Sequence, residues 1–136
     1  MLDISEINTS FGGGREPKDE HLIDLLMKAY KGEILCRKAI VPMELIQPFS
    51  DYLPAANEAY EKYFAERYKA MDPPQLFVYE KDGKFIMSDD YYAYYLYKAV
   101  NAPLALCTVI GDTTITDNVK YGDPFQLPPP TAEVIE

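Results

Sequence analysis

The sequence predicts one small α/β domain. Three observations carry that reading: apolar residues recur at helical spacing in three separate stretches, short β-prone runs lie between them, and 136 residues suffice for one core rather than two. With 48% hydrophobic and 26% charged residues, the composition is that of a chain that folds unaided.

The elements follow in order. Residues 1–18 hold Gly12, Gly13, Gly14 and Pro17 among polar neighbours and are read as a flexible leader. The triple glycine is not a phosphate loop, because no Lys followed by Ser or Thr closes it and no strand precedes it. From Asp19 to Tyr30, Leu22, Ile23, Leu26, Met27 and Tyr30 mark an amphipathic helix, with Asp19 as its cap and Gly32 as its stop. Ile34, Leu35, Cys36, Ile40 and Val41 then form a strand that Pro42 is expected to interrupt.

Met43 to Pro48 reads as a short helical turn. Asn57 to Met71 carries Tyr60, Tyr63, Phe64, Arg67, Tyr68 and Met71 at spacings of three and four, the mark of a second amphipathic helix, which Asp72, Pro73 and Pro74 end. Leu76–Tyr79 and Lys84–Met87 flank Asp82-Gly83, a dipeptide suited to the positive φ angles of a tight hairpin. Ser88 or Asp89 is placed to cap a third helix running to about Val100, and Leu104–Ile110 is a last apolar strand. The predicted domain covers 19–112. Residues 113–136, with Pro124, Pro128, Pro129 and Pro130, are read as a semi-extended tail that packs along its own domain or stays disordered.

Charge and composition exclude several functions. With 22 acidic against 13 basic residues, the net charge of −9 repels phosphate backbones, so nucleic acid is not an expected partner. Cys36 and Cys107 are too few for a disulfide framework and His21 is the one imidazole, so no zinc site is expected and both thiols are assigned to the core. Neither a signal peptide nor a membrane span is visible, which gives a cytoplasmic expectation. His21 has no nucleophile motif beside it, so no catalytic residues are assigned.

The most unusual stretch is Asp89-Asp90-Tyr91-Tyr92-Ala93-Tyr94-Tyr95-Leu96-Tyr97, directly after the hairpin. On a helix, Tyr91, Tyr94 and Tyr95 share one side and Tyr92, Leu96 and Ala99 another, so some of the tyrosines should reach the surface. Two readings are open. The rings fill gaps against the helix of Tyr60, Tyr63, Phe64 and Tyr68, or they form an aromatic surface, since tyrosine joins large apolar area to a polar tip. Asp89 and Asp90 have a structural role as helix-start carboxylates, and two carboxylates without a third ligand make a poor cation site.

Several phrases resemble the ParB N-terminal and sulfiredoxin superfamily. Val41-Pro42-Met43-Glu44-Leu45-Ile46-Gln47-Pro48 is similar to the segment that opens that domain, and Pro74-Gln75-Leu76-Phe77-Val78-Tyr79 to its Pro-led central strand. Phe85-Ile86-Met87-Ser88-Asp89 sits like the strand before its signature loop, and Tyr97-Lys98-Ala99-Val100-Asn101 resembles the following helix end. The likeness runs from about Ile34 to Asp112. It implies a compact α/β (α+β) unit with a small mixed sheet packed by helices. In the family the loop bears a glycine, then His, Cys or acidic residues, then an arginine. Here Asp90, Tyr91, Tyr92 and Ala93 occupy those positions and Asp89 alone is retained, so the thiol of sulfiredoxin-like chemistry and the phosphate-clamping arginine are missing.

The function read from the sequence is therefore a non-enzymatic binding or regulatory module without cofactor. Its surface of Asp89, Asp90, Tyr91, Tyr92, Tyr94 and Tyr95 would serve a protein partner, a small ligand or a second copy of the chain. The alternative is a metal-dependent nucleotide or phosphoester enzyme, with magnesium on the two aspartates and a base stacked on Tyr91 or Tyr92.

Overall fold

The computed structural model describes residues 17–128. Within them the elements are α1 Glu20–Tyr30, β1 Cys36–Pro42, β2 Ile46–Pro48, α2 Glu58–Lys69, β3 Leu76–Lys81, β4 Lys84–Met87, α3 Tyr91–Ala99, β5 Leu104–Ile110 and β6 Lys120–Tyr121. The expected leader lies outside the described residues except for Pro17 and Lys18, as does the tail from 129 onward. Among the described residues no helix is long and apolar enough to cross a membrane.

The six strands make one mixed sheet in the order β2-β4-β3-β5-β1-β6. β1 runs antiparallel to β5 over its whole length, from Cys36 opposite Ile110 to Pro42 opposite Leu104. β3 is parallel to β5 and antiparallel to β4, and β2 is parallel to β4. Alternation along the strands separates two cores. Ala39, Val41, Leu76, Val78, Ala105, Cys107 and Val109 meet Phe64 of α2 and Tyr91, Ala93, Tyr94 and Tyr97 of α3 on one side. Cys36, Tyr79, Ile86 and Ile110 meet Leu22 and Ala29 of α1 on the other. This is the small mixed sheet packed by helices that the sequence predicted, and both cysteines are buried as expected.

Four local expectations are corrected. Pro42 does not interrupt β1 but ends it, since a missing N–H is tolerated at a terminal strand position. The helical turn expected over Met43–Pro48 is limited to a 3-10 turn at Met43–Leu45, and Ile46–Pro48 becomes edge strand β2, its Ile46 buried against β4. The sheet also continues past residue 112. Tyr121 pairs with Ala39, Phe125 bridges to Cys36, and Leu127 is buried in the α1-side core. Finally, the cap of α3 is Asp90 rather than Ser88 or Asp89, because the Asp89 carboxylate is engaged by β3.

The hairpin turn is as read, with Asp82 at φ 53° and Gly83 at φ 78°. α1 ends on Gly32, also at φ 78°, where the Glu33 N–H reaches the Lys28 carbonyl at 2.9 Å and the Gly32 N–H the Ala29 carbonyl at 3.0 Å. α2 closes with the same pair of bonds, from Asp72 to Arg67 and from Met71 to Tyr68, but a methionine holds the left-handed position at φ 61°. Met71 is 88% exposed, so its side chain contributes little packing against that backbone cost. Met71→Gly is accordingly expected to raise stability by about 1 kcal/mol, read as a higher urea midpoint at unchanged slope.

Candidate binding site

The N-termini of α2 and α3 meet on the first side of the sheet. Asn57 caps α2, accepting the Tyr60 N–H at 3.0 Å, and Asp90 caps α3, accepting the Ala93 N–H at 3.0 Å. Each cap is tied to the other helix. The Tyr60 hydroxyl donates to Asp90 Oδ2 at 2.8 Å, and the Asn57 N–H donates to the Tyr92 hydroxyl at 2.7 Å. Tyr92 in turn donates to the Glu61 carboxylate. The Tyr60 and Tyr92 rings lie stacked between these bonds, centroids 5.2 Å apart and planes 15° apart.

The six residues singled out in the sequence divide by burial. Tyr91 and Tyr94 face the core, Tyr91 with its hydroxyl 3.1 Å from Ser50 Oγ and its ring edge-on to Tyr52. Tyr92 and Tyr95 are half-buried, Tyr95 set edge-on to Tyr94 at 5.1 Å. The Lys98 ammonium lies 5.6 Å from the Tyr94 ring centroid. Asp90 reaches the α2–α3 junction, whereas Asp89 turns under the sheet end, where the Phe77 N–H donates to it at 3.3 Å. That is why Asp89 does not cap α3: its carboxylate is engaged by β3.

Asp89 is the electrostatic anomaly of the site. Burial, and next the charge of Asp90, push its carboxyl up to about 7, against the partly offsetting donation from Phe77. Burial also raises the Cys107 thiol, and the Asp89 charge adds to it, so Cys107 is no thiolate nucleophile at neutral pH. Burial raises the Tyr60 hydroxyl, reinforced by the charge and hydrogen bond of Asp90, so Tyr60 stays a neutral donor.

Asn57, Tyr60 and Glu61 belong to this site although no sequence motif signals that they meet Asp90 and Tyr92. Asn57 is visible as a helix start and Tyr60 as a helix-face residue, but contact across 30 to 35 positions has no local signal. Asp19 was visible as a cap and proves to be more: its Oδ1 accepts from the His21 and Leu22 N–H groups, and its Oδ2 from the hydroxyls of Tyr79 at 2.7 Å and Ser88 at 2.8 Å. His21 is exposed beside it, edge-on to Tyr79.

Among the described residues no three His, Cys, Asp or Glu side chains are grouped to hold a metal ion. None of the ion pairs among those residues involves Glu58, Glu61, Asp89 or Asp90.

No family model and no curated protein matches the chain. In structure it is similar to the crystal structure of sulfiredoxin from Arabidopsis thaliana, with 14% identity, a TM-score of 0.47, and coverage of 55% of this chain and 85% of that one. This likeness concerns the course of the chain and extends to no chemistry.

Proposed function

We propose that the domain is a binding module that takes a Lys- or Arg-bearing segment of a protein partner at the junction of α2 and α3. The observation that carries this reading is the stacked Tyr60–Tyr92 pair flanked by Glu61 and Asp90, two carboxylates that enter no ion pair among the described residues. A guanidinium or ammonium group gains there from an aromatic face and from charge-assisted hydrogen bonds together. The net charge of −9 steers such a partner toward the surface. The hydroxyls of Tyr60 and Tyr92 are already fixed by internal bonds, so little side-chain freedom is lost on binding.

The test is a titration with an arginine-rich peptide at low and physiological salt, followed by amide shifts of Tyr60, Glu61, Tyr92 and Tyr95. Glu61→Gln keeps an acceptor for Tyr92 and removes one charge, and is expected to weaken binding several-fold while leaving the fold intact. Shifts that map elsewhere, or a peptide affinity indifferent to Glu61→Gln, would count against the site. A panel of ATP, CTP and GTP with magnesium provides the contrasting outcome. A magnesium-dependent rise in melting temperature, or nucleotide turnover, would replace this reading with the enzymatic one.

A further inference from the structure

The second side of the sheet is only partly covered. α1 packs over Cys36, Tyr79, Ile86 and Ile110, while farther along β1 and β5 the same alternation brings Lys38, Ile40 and Leu106 out toward solvent, with Ile40 37% exposed. There they line an open groove of about 400 Å³ together with Gln75, Lys120 and Gly122. That volume lies in the range of small-molecule sites.

The groove has an apolar floor and a cationic rim. Ile40 stands directly opposite Lys120 in the β1–β6 register, so Lys38 and Lys120 are diagonal neighbours on one face, roughly 7 to 8 Å apart at the backbone. Lys38 is held in position. Its Nζ donates to Gln75 Oε1 at 2.6 Å and to Thr108 Oγ1 at 3.1 Å, Thr108 itself being fully buried and donating to the same Gln75 oxygen at 2.8 Å. The Phe125 ring lies 5.5 Å from that ammonium. All of these partners are neutral. On a chain with net charge −9, none of the ion pairs among the described residues uses Lys38 or Lys120.

From this geometry we infer that the groove binds a small amphipathic anion, a medium-chain carboxylate whose head lies between Lys38 and Lys120 and whose chain runs along Ile40 and Leu106. A lysine ammonium has three donors and two are used by Gln75 and Thr108, which leaves one for the carboxylate. Pre-positioning by Thr108 and Gln75 removes part of the ordering cost that a free lysine would incur. The apolar floor gives the hydrocarbon a place that a simple inorganic anion would not use.

The experiment uses the full chain and four probes: decanoate, decanol, decylamine and acetate. Decanoate is expected to bind and to shift the amides of Lys38, Ile40, Leu106, Lys120 and Tyr121, with decanol weaker by about tenfold and decylamine and acetate showing no saturable binding. Lys38→Met and Lys120→Met are each expected to weaken decanoate about tenfold and to leave decanol unchanged. Both lysines are exposed, and amide spectra of the variants verify that the fold persists. Equal binding of decanoate and decanol, an unchanged affinity in both variants, or shifts confined to the α2–α3 junction would overturn the assignment. Because that junction lies on the other sheet face, this result is independent of the peptide titration.

Discussion

Asp19→Ala is expected to lower stability by about 3 to 7 kcal/mol, a loss large enough to leave much of a marginal domain unfolded at physiological temperature. The figure follows from the bonds lost. Removing the side chain deletes the α1 cap, worth about 1 kcal/mol, and leaves the hydroxyls of Tyr79 and Ser88 without their acceptor, at about 1 to 3 kcal/mol each. Both hydroxyl-bearing residues are buried, so water cannot readily replace the carboxylate. Asp19→Asn retains a capping oxygen and is expected to cost less than half as much. Urea unfolding checks both, and a loss under 1 kcal/mol for the alanine variant would show that the Asp19 bonds are not what holds α1 to the hairpin.

The second large effect depends on pH. The Asp89 carboxyl is pushed up to about 7 in the folded chain, whereas an unfolded aspartate titrates near 3.9. Between those values the folded state keeps a proton that the unfolded state releases, so the Asp89 contribution to stability falls as pH rises from about 4 to 7. Asp89→Asn mimics the protonated form and still offers an oxygen to the Phe77 N–H. It is expected to gain on the order of 2 to 4 kcal/mol over the parent at pH 8, and close to nothing at pH 4. Parallel stability curves for the two proteins across that window would mean that Asp89 is ionised in the folded state. Glu80 works in the opposite sense: burial pushes it up, but donation from Thr113 and Thr114 outweighs this and holds the carboxyl below its ordinary value.

The regular elements were legible because their signals are local. Leu104–Ile110 is the strand that the apolar run outlined, and Asp82-Gly83 marked the hairpin turn directly. β2 was missed because three residues carry no period, and Ile46 is recognisably a strand residue only once Phe85 lies beside it. β6 was missed for the same reason: Lys120 and Tyr121 become a strand by pairing with β1, not by composition. The tyrosine-rich stretch was found, but its spacing could not tell which rings turn inward. Tyr91 and Tyr94 sit in the core because α2 and the sheet close over that side of α3, a tertiary choice that leaves Tyr92 and Tyr95 half-exposed. The Lys38 groove was not anticipated, since its two lysines are 82 positions apart and only the β1–β6 register makes them neighbours.

The place of β1 in the sheet has a consequence for how the chain acquires its structure. This strand lies in the first third of the sequence, yet both of its neighbours, β5 and β6, come from beyond residue 103. During synthesis β1 therefore has to wait, with Val41 and Ala39 unshielded, while α2, the β3–β4 hairpin and α3 emerge. Assembly is expected to run across the sheet from the hairpin toward the β6 edge: β3 and β4 pair locally, and β5 closes the parallel crossover onto β3. β5 then offers its free edge to β1, a long loop closure that is expected to be the slow step of folding.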